Sequence, residues 1–474
     1  MKSKYLLIVL AIGCLITAAS LFIYGQPVEN FTAGEIIDNV VCLDNSRQSY
    51  ALYLPSSYSA DKQWPVIYIF DPAARGALPV ELFKKAAETY GYIIVSSNNA
   101  RNGPWKPIYD AAKAVWLDSG RRFSIDRNRV YASGFSGGSR VASTFKYIIN
   151  QPTAGIIGCG AGLGNKITPE MVKPALYYGI VGIEDFNYRE MMKLDQTFDE
   201  ADLEHRFLIV DGPHRWPEEA FCTQAVEWME INGIKQGKIK KNDLLVTQLY
   251  KNTLNRAQNL EQSGRIYYAV SAYEALERLF RGLLDVTEVK DKGRQLRESN
   301  DFKKFRQAEE KRNKKELEFI RNFAKISFGI KKGDVMTMRP ESIARELKMA
   351  YLQKEAAESG DKTNMYDRAL ARRLLQQLNV NFNGEGTSLI LKKDHTRGIL
   401  FLEIAARAGN RYPLTFYNLA CAYSMTKNKK KALHYFKRAI ESGFTNLTHI
   451  EKDKDLDFIR KEKAFKEILR RLNK

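Results

Sequence analysis

Five consecutive residues, Gly134-Phe135-Ser136-Gly137-Gly138, place a serine hydroxyl between glycines two positions to either side. A serine on a sharp strand-to-helix turn projects its Oγ outward, and a Cβ two residues before or after it would collide with the turn. Gly134 and Gly138 meet that requirement. The hydroxyl alone is a poor nucleophile; it needs a base to take its proton and an acid to orient the base. Of the five histidines, only His214 follows an apolar run (Phe207–Val210), sits in a Gly-Pro loop and opens a helical stretch. His205 precedes that run, and His395, His434 and His449 lie in charged helical sequence. For the acid, the apolar run Ala175–Val181 leads into Gly182-Ile183-Glu184-Asp185. Asp185 is favoured, with Glu184 and Asp211 as competitors. Along the chain the three run in the order Ser136, Asp185, His214.

Such side chains need a frame. Val66–Phe70 and Tyr92–Val95 are continuous apolar runs, the pattern of strands buried on both faces. Val130–Ser133, Ile156–Ile157, Ala175–Val181 and Phe207–Val210 extend the series, and Val40–Val41 with Tyr50–Leu54 precede it. Helical spacing falls between them, in Val80–Tyr90, Ala111–Leu117, Arg140–Ile149 and Ala220–Ile231. The alternation predicts right-handed βαβ units and a mostly parallel sheet flanked by helices, with chemistry at the carboxyl ends of the strands. Asn98–Gly103 follows a strand and reads either as a lining of the cleft or as a plain polar loop. The glycines of Gly155–Gly164 miss dinucleotide-binding spacing and read as close packing beside the turn, so no cofactor is expected. Five widely spaced cysteines, with no CxxC, offer no metal site.

Over residues 36–235 the sequence resembles the α/β-hydrolase superfamily, nearest to dienelactone-hydrolase-like and polyhydroxybutyrate-depolymerase-like esterases. The likeness is carried by Gly134–Gly138, by Gly182-x-x-Asp185 and by Gly212-x-His214-x-Trp216-Pro217. It implies that Ser136 attacks the carbonyl, that His214 moves the proton and that Asp185 holds the imidazole tautomer. It further implies an oxyanion hole made by the N–H of Gly137 and an N–H from the loop after the Val66–Phe70 strand. In that loop Ala73 is the expected donor, because Pro72 has no N–H. Asp71 brings a carboxylate near a site meant to stabilise negative charge, which pairing with Arg75, or a loop turned away from the site, would relieve.

The second half differs. Residues 1–235 carry 23 Lys and Arg against 25 Asp and Glu, a net of −2; the other 51 basic and 30 acidic residues, net +21, lie in 236–474. Residues 232–242 are polar and glycine-bearing and read as a linker. Helical regions follow over 243–340 and 341–474, with a hairpin turning near Gly264 and a charged helix over 301–325. Phe416-x-x-Leu419-Ala420-x-x-Tyr423 and Ala432-x-x-x-Phe436-x-x-Ala439 resemble tetratricopeptide repeats, with Gly398, Leu402 and Ala405 matching the second helix of a preceding repeat. The resemblance implies docking of a protein partner, and the basic charge suits an acidic one. Residues 1–26 read as a signal peptide or N-terminal anchor: Lys2 and Lys4 precede an apolar run over 5–24 that is also long enough to span a bilayer. Export to a periplasmic or other extracytoplasmic setting disfavours nucleic acid as a partner. The whole reads as an exported serine hydrolase acting on carboxylic esters. A catalytically silent scaffold on the same fold, or a peptidase using the same three residues, are the competing readings.

Overall fold

The computed structural model describes residues 31–334, 338–357, 365–409 and 412–472. The apolar segment over 5–24 lies outside the described residues. Among the described residues no helix is long and apolar enough to cross a membrane.

Eight strands form one sheet: β1 (Ile36–Cys42), β2 (Asn45–Tyr53), β3 (Trp64–Phe70), β4 (Ile93–Ser97), β5 (Ile125–Phe135), β6 (Gly155–Cys159), β7 (Leu176–Gly182) and β8 (His205–Val210). Their spatial order is β1-β2-β4-β3-β5-β6-β7-β8. Only the β1–β2 and β2–β4 pairings are antiparallel. This is the α/β-hydrolase fold, followed by an all-helical C-terminal part. Strand order reverses between β3 and β5, so the connections leaving these neighbours run to opposite sides and open a crevice at their carboxyl ends. The loop after β3 and the Ser136 turn after β5 border it.

Alternating side chains of the central strands feed two separate cores. Val66, Tyr68 and Phe70 face the helices Trp105–Arg122 and Gly137–Ile149, whereas Ile67 and Ile69 face Ala77–Tyr90 and Glu219–Lys235. β5 begins at Ile125, earlier than the apolar run at Val130 indicates, because Trp64 of β3 pairs with Ile125 across a register shift. Burial of β3 on both faces (every residue of it is buried) explains why it reads as a continuous apolar run.

The helices Asp243–Gln262 and Ile266–Phe280 turn at Gly264, whose φ of +72° suits a residue without Cβ. Their apolar residues, among them Val246, Leu249, Ala269 and Leu276, join the second of the two sheet cores. Beyond them a long helix, Asn300–Lys332, leads to antiparallel pairs formed by Met365–Leu391 with His395–Ala406 and by Pro413–Met425 with Lys429–Glu441. Gly386 and Gly398 let the first pair touch: a Cβ on Gly386 would lie 2.9 Å from the Gly398 carbonyl oxygen.

Candidate active site

Ser136 sits between β5 and the helix Gly137–Ile149 with φ +54° and ψ −119°, a conformation a residue with a side chain enters only under strain. The glycines around it make the turn passable. A Cβ on Gly134 would lie 2.2 Å from the Gly138 carbonyl oxygen, and one on Gly138 would lie 1.9 Å from that of Phe70. The Ser136 N–H donates to Cys159 O at 2.8 Å, which fixes the turn to β6.

His214 follows β8, and Asp185 follows β7. The histidine Nε2 lies 2.9 Å from Ser136 Oγ, and its Nδ1 lies 2.8 Å from Asp185 Oδ2. In the neutral tautomer this geometry favours, Nδ1–H donates to the carboxylate and the serine hydroxyl donates to Nε2. Asp185 is 1% exposed and His214 12%, so the pair is shielded while the ring still reaches the cleft. Phe135 and Phe186 flank the imidazole, with ring centroids 4.5 and 4.3 Å away. Asp185 is held in turn by the Asn187 N–H, which donates to its Oδ1 at 2.8 Å. The relay can deprotonate Ser136 as it attacks a carbonyl and return the proton to a departing alcohol or amine.

The competing acids are engaged elsewhere. Glu184 accepts from Arg372 Nη1 at 2.6 Å, and Asp211 accepts from both terminal nitrogens of Arg265 at 2.8 and 3.1 Å. His205, the other histidine near the sheet, holds Leu203 O and Asp195 with its two ring nitrogens and has no part in the site.

The loop after β3 departs from expectation at one residue. The Ala73 N–H donates to Asp71 Oδ1 at 2.8 Å, so it is not the free oxyanion donor expected of it. The carboxylate two residues earlier captures that amide in a tight local turn. Asp71 itself is fully buried and accepts further from the Arg75 N–H, Arg75 Nε and Nη2, and Trp216 Nε1. Its charge is thereby spent on the loop and on the segment just after His214. Burial acts to raise its carboxyl pKa, but the hydrogen bonds from Arg75, Trp216 and Ala73 outweigh it and hold the group below the ordinary carboxylate value. Stability from Asp71 is therefore present above an unfolded value near pH 4 and is lost as pH falls through the lower folded value. Asp71→Asn should cost about 1–3 kcal/mol at neutral pH, and the gap to the parent protein should narrow from about pH 4 downward. Urea titrations across that range check it; a gap that stays constant would contradict the account.

The helical half supplies a wall. A cleft of about 410 Å³ is lined by Glu184, Pro213 and His214 on one side and by Gln353, Ala356, Arg372, Leu375 and Gln376 on the other. Its size suits a small-molecule site. Three arginines of the helical half hold the loops that carry Asp185 and His214. Arg372 takes Glu184, Arg265 takes Asp211, and Arg373 donates from Nη1 to Ile183 O at 3.2 Å while gripping Glu316 with Nε and Nη2, both at 2.8 Å. The two loops are also tied together, Glu184 N–H to Gly212 O at 3.0 Å. Sequence reading missed these arginines and the two phenylalanines.

One other group of potential ligands occurs among the described residues: Cys421, Asp453 and Asp455 bring ligand atoms within 4.8 Å of one another. Burial pushes the Cys421 thiol well above its ordinary value, so it stays protonated, with Asp453 Oδ2 as its acceptor. The four described cysteines, Cys42, Cys159, Cys222 and Cys421, are free and buried.

No protein-family model matches the chain, and no curated protein matches it. Among solved structures it is similar to the fluorophosphonate-binding serine hydrolase F of Staphylococcus aureus, at 13% identity and a TM-score of 0.35, over 42% of this chain and 98% of that one. It is similar to esterase 2 of Thermogutta terrifontis at 13% identity and 0.33, over 45% and 99%. A feruloyl esterase module from Clostridium thermocellum gives 14% and 0.33, over 42% and 88%.

Proposed function

We propose that the chain is a serine hydrolase that cleaves carboxylic esters through an acyl-enzyme. Ser136 is the nucleophile, His214 the general base and acid, and Asp185 the orienting acid. The reading is carried by one observation: an unbroken hydrogen-bonded series from Ser136 Oγ through His214 to a buried carboxylate, with the serine on a strained turn. Neutralisation of Asp71 by its own loop supports catalytic competence over a silent scaffold. The helical half acts as the far wall of the cleft, and its basic surface is a place for an acidic partner to dock. The apolar segment over 5–24 suits an enzyme that works outside the cytoplasm.

The test is covalent labelling. A fluorophosphonate should place one adduct on Ser136, located by mass spectrometry of the digested protein, and prior incubation with an ester substrate should slow it. A folded protein that turns over no ester and takes no adduct would end this reading. Comparison of a 4-nitrophenyl ester with the matching anilide separates an esterase from a peptidase.

A further inference from the structure

Attack on a carbonyl leaves negative charge on its oxygen, and two donors must meet that charge. Gly137 opens the helix after Ser136, and its N–H has no intrahelical acceptor, which makes it the first. Four successive residues of the loop after β3, Pro72 to Arg75, add none. Pro72 has no N–H, Ala73 and Arg75 donate to Asp71 Oδ1, and Ala74 donates to Asp71 O.

The next polar group at the turn is the side chain of Asn102. Its backbone N–H donates to Pro72 O at 2.8 Å, which ties it to the same loop. Its amide lies directly over Gly137: a Cβ there would be 1.8 Å from Asn102 Oδ1 and 3.0 Å from Nδ2. This accounts for a glycine that the serine turn itself does not need, since only Gly134 and Gly138 are required by that turn. The Asn102 side chain is exposed, and among the described residues no hydrogen bond engages either end of its amide. The amide can therefore rotate to aim either end at a ligand.

The geometry points to Asn102 as the second oxyanion donor, its Nδ2–H acting beside the Gly137 N–H. The inference rests on the ester hydrolase reading above. As Ser136 Oγ bonds to the carbonyl carbon, the π pair moves to oxygen and the hydroxyl proton passes to His214 Nε2. The oxyanion then accepts from Gly137 and Asn102. When the carbonyl re-forms, the alcohol departs with the proton from His214.

Three proteins test this: the parent chain, Asn102→Ala, and Asn102→Asp, which fills the same space but cannot donate when ionised. Each is assayed with 4-nitrophenyl acetate and titrated with a trifluoromethyl ketone, which forms a tetrahedral adduct on the serine. Both variants should lose about 10²–10³-fold in kcat with KM little changed, and ketone affinity should fall in parallel. A kcat within about threefold of the parent in Asn102→Asp overturns the proposal. So does a change confined to KM with the ketone still bound tightly. A parent chain that neither hydrolyses ester nor takes a fluorophosphonate overturns the hydrolase reading and this proposal together.

Discussion

Ser136→Ala should lower kcat for ester hydrolysis by about six orders of magnitude, leaving a residue of activity from substrate binding and the oxyanion donors. His214→Ala should fall about as far, and the double variant little further, because the two side chains act as one unit. The loss should come without unfolding. Alanine keeps a Cβ at φ +54°, so backbone strain is unchanged and the midpoint of thermal denaturation should stay close to that of the parent. Ser136→Gly offers a second measurement. Glycine accepts that conformation freely, and removing strain of about 1–3 kcal/mol should raise stability while abolishing turnover. A Gly variant that is less stable than the parent would show that the turn is not strained. A Ser136→Ala protein retaining a tenth of parental activity would displace Ser136 as nucleophile.

Arg373→Met should destabilise the chain by about 3–5 kcal/mol, because it takes the guanidinium partner from the buried Glu316 side chain. The side chains of the pair are 5% and 3% exposed, so little solvent screens them. Replacing both partners, as Arg373→Met with Glu316→Leu, should recover most of that loss, since two apolar side chains need no counterion. Activity should behave differently. Arg373 also holds Ile183 O, two residues before Asp185, so the double variant should remain slow although it is folded. Urea denaturation and ester kinetics on the same preparations separate the two effects. A single variant that loses under about 1 kcal/mol would mean that water reaches the pair.

The three residues of the hydrogen-bonded series were legible because each has a local signature. Ser136 carries its flanking glycines, His214 is the only histidine placed in a loop after an apolar run, and Asp185 ends another such run. The sheet was legible for the same reason, since β3 and β7 are buried along their whole length and write that burial as nearly unbroken apolar sequence. The choice among Glu184, Asp185 and Asp211 was not settled by sequence alone. It depends on Arg372 and Arg265, which lie 188 and 54 residues from their partners and leave no mark beside them. The role expected of Ala73 failed over a single hydrogen bond. A loop can be recognised from its position after a strand, but the carboxylate that captures one of its amides is decided by local torsion angles. The first five residues of β5 escaped notice because Asp126, Arg127, Asn128 and Arg129 interrupt the apolar run there.

The clamps on Ile183, Glu184 and Asp211 also order events in time. Synthesis delivers the serine, acid and base early, but their last fastenings come from residues 265, 372 and 373. A nascent chain therefore carries Ser136, Asp185 and His214 before it carries the arginines that fasten the loops around them.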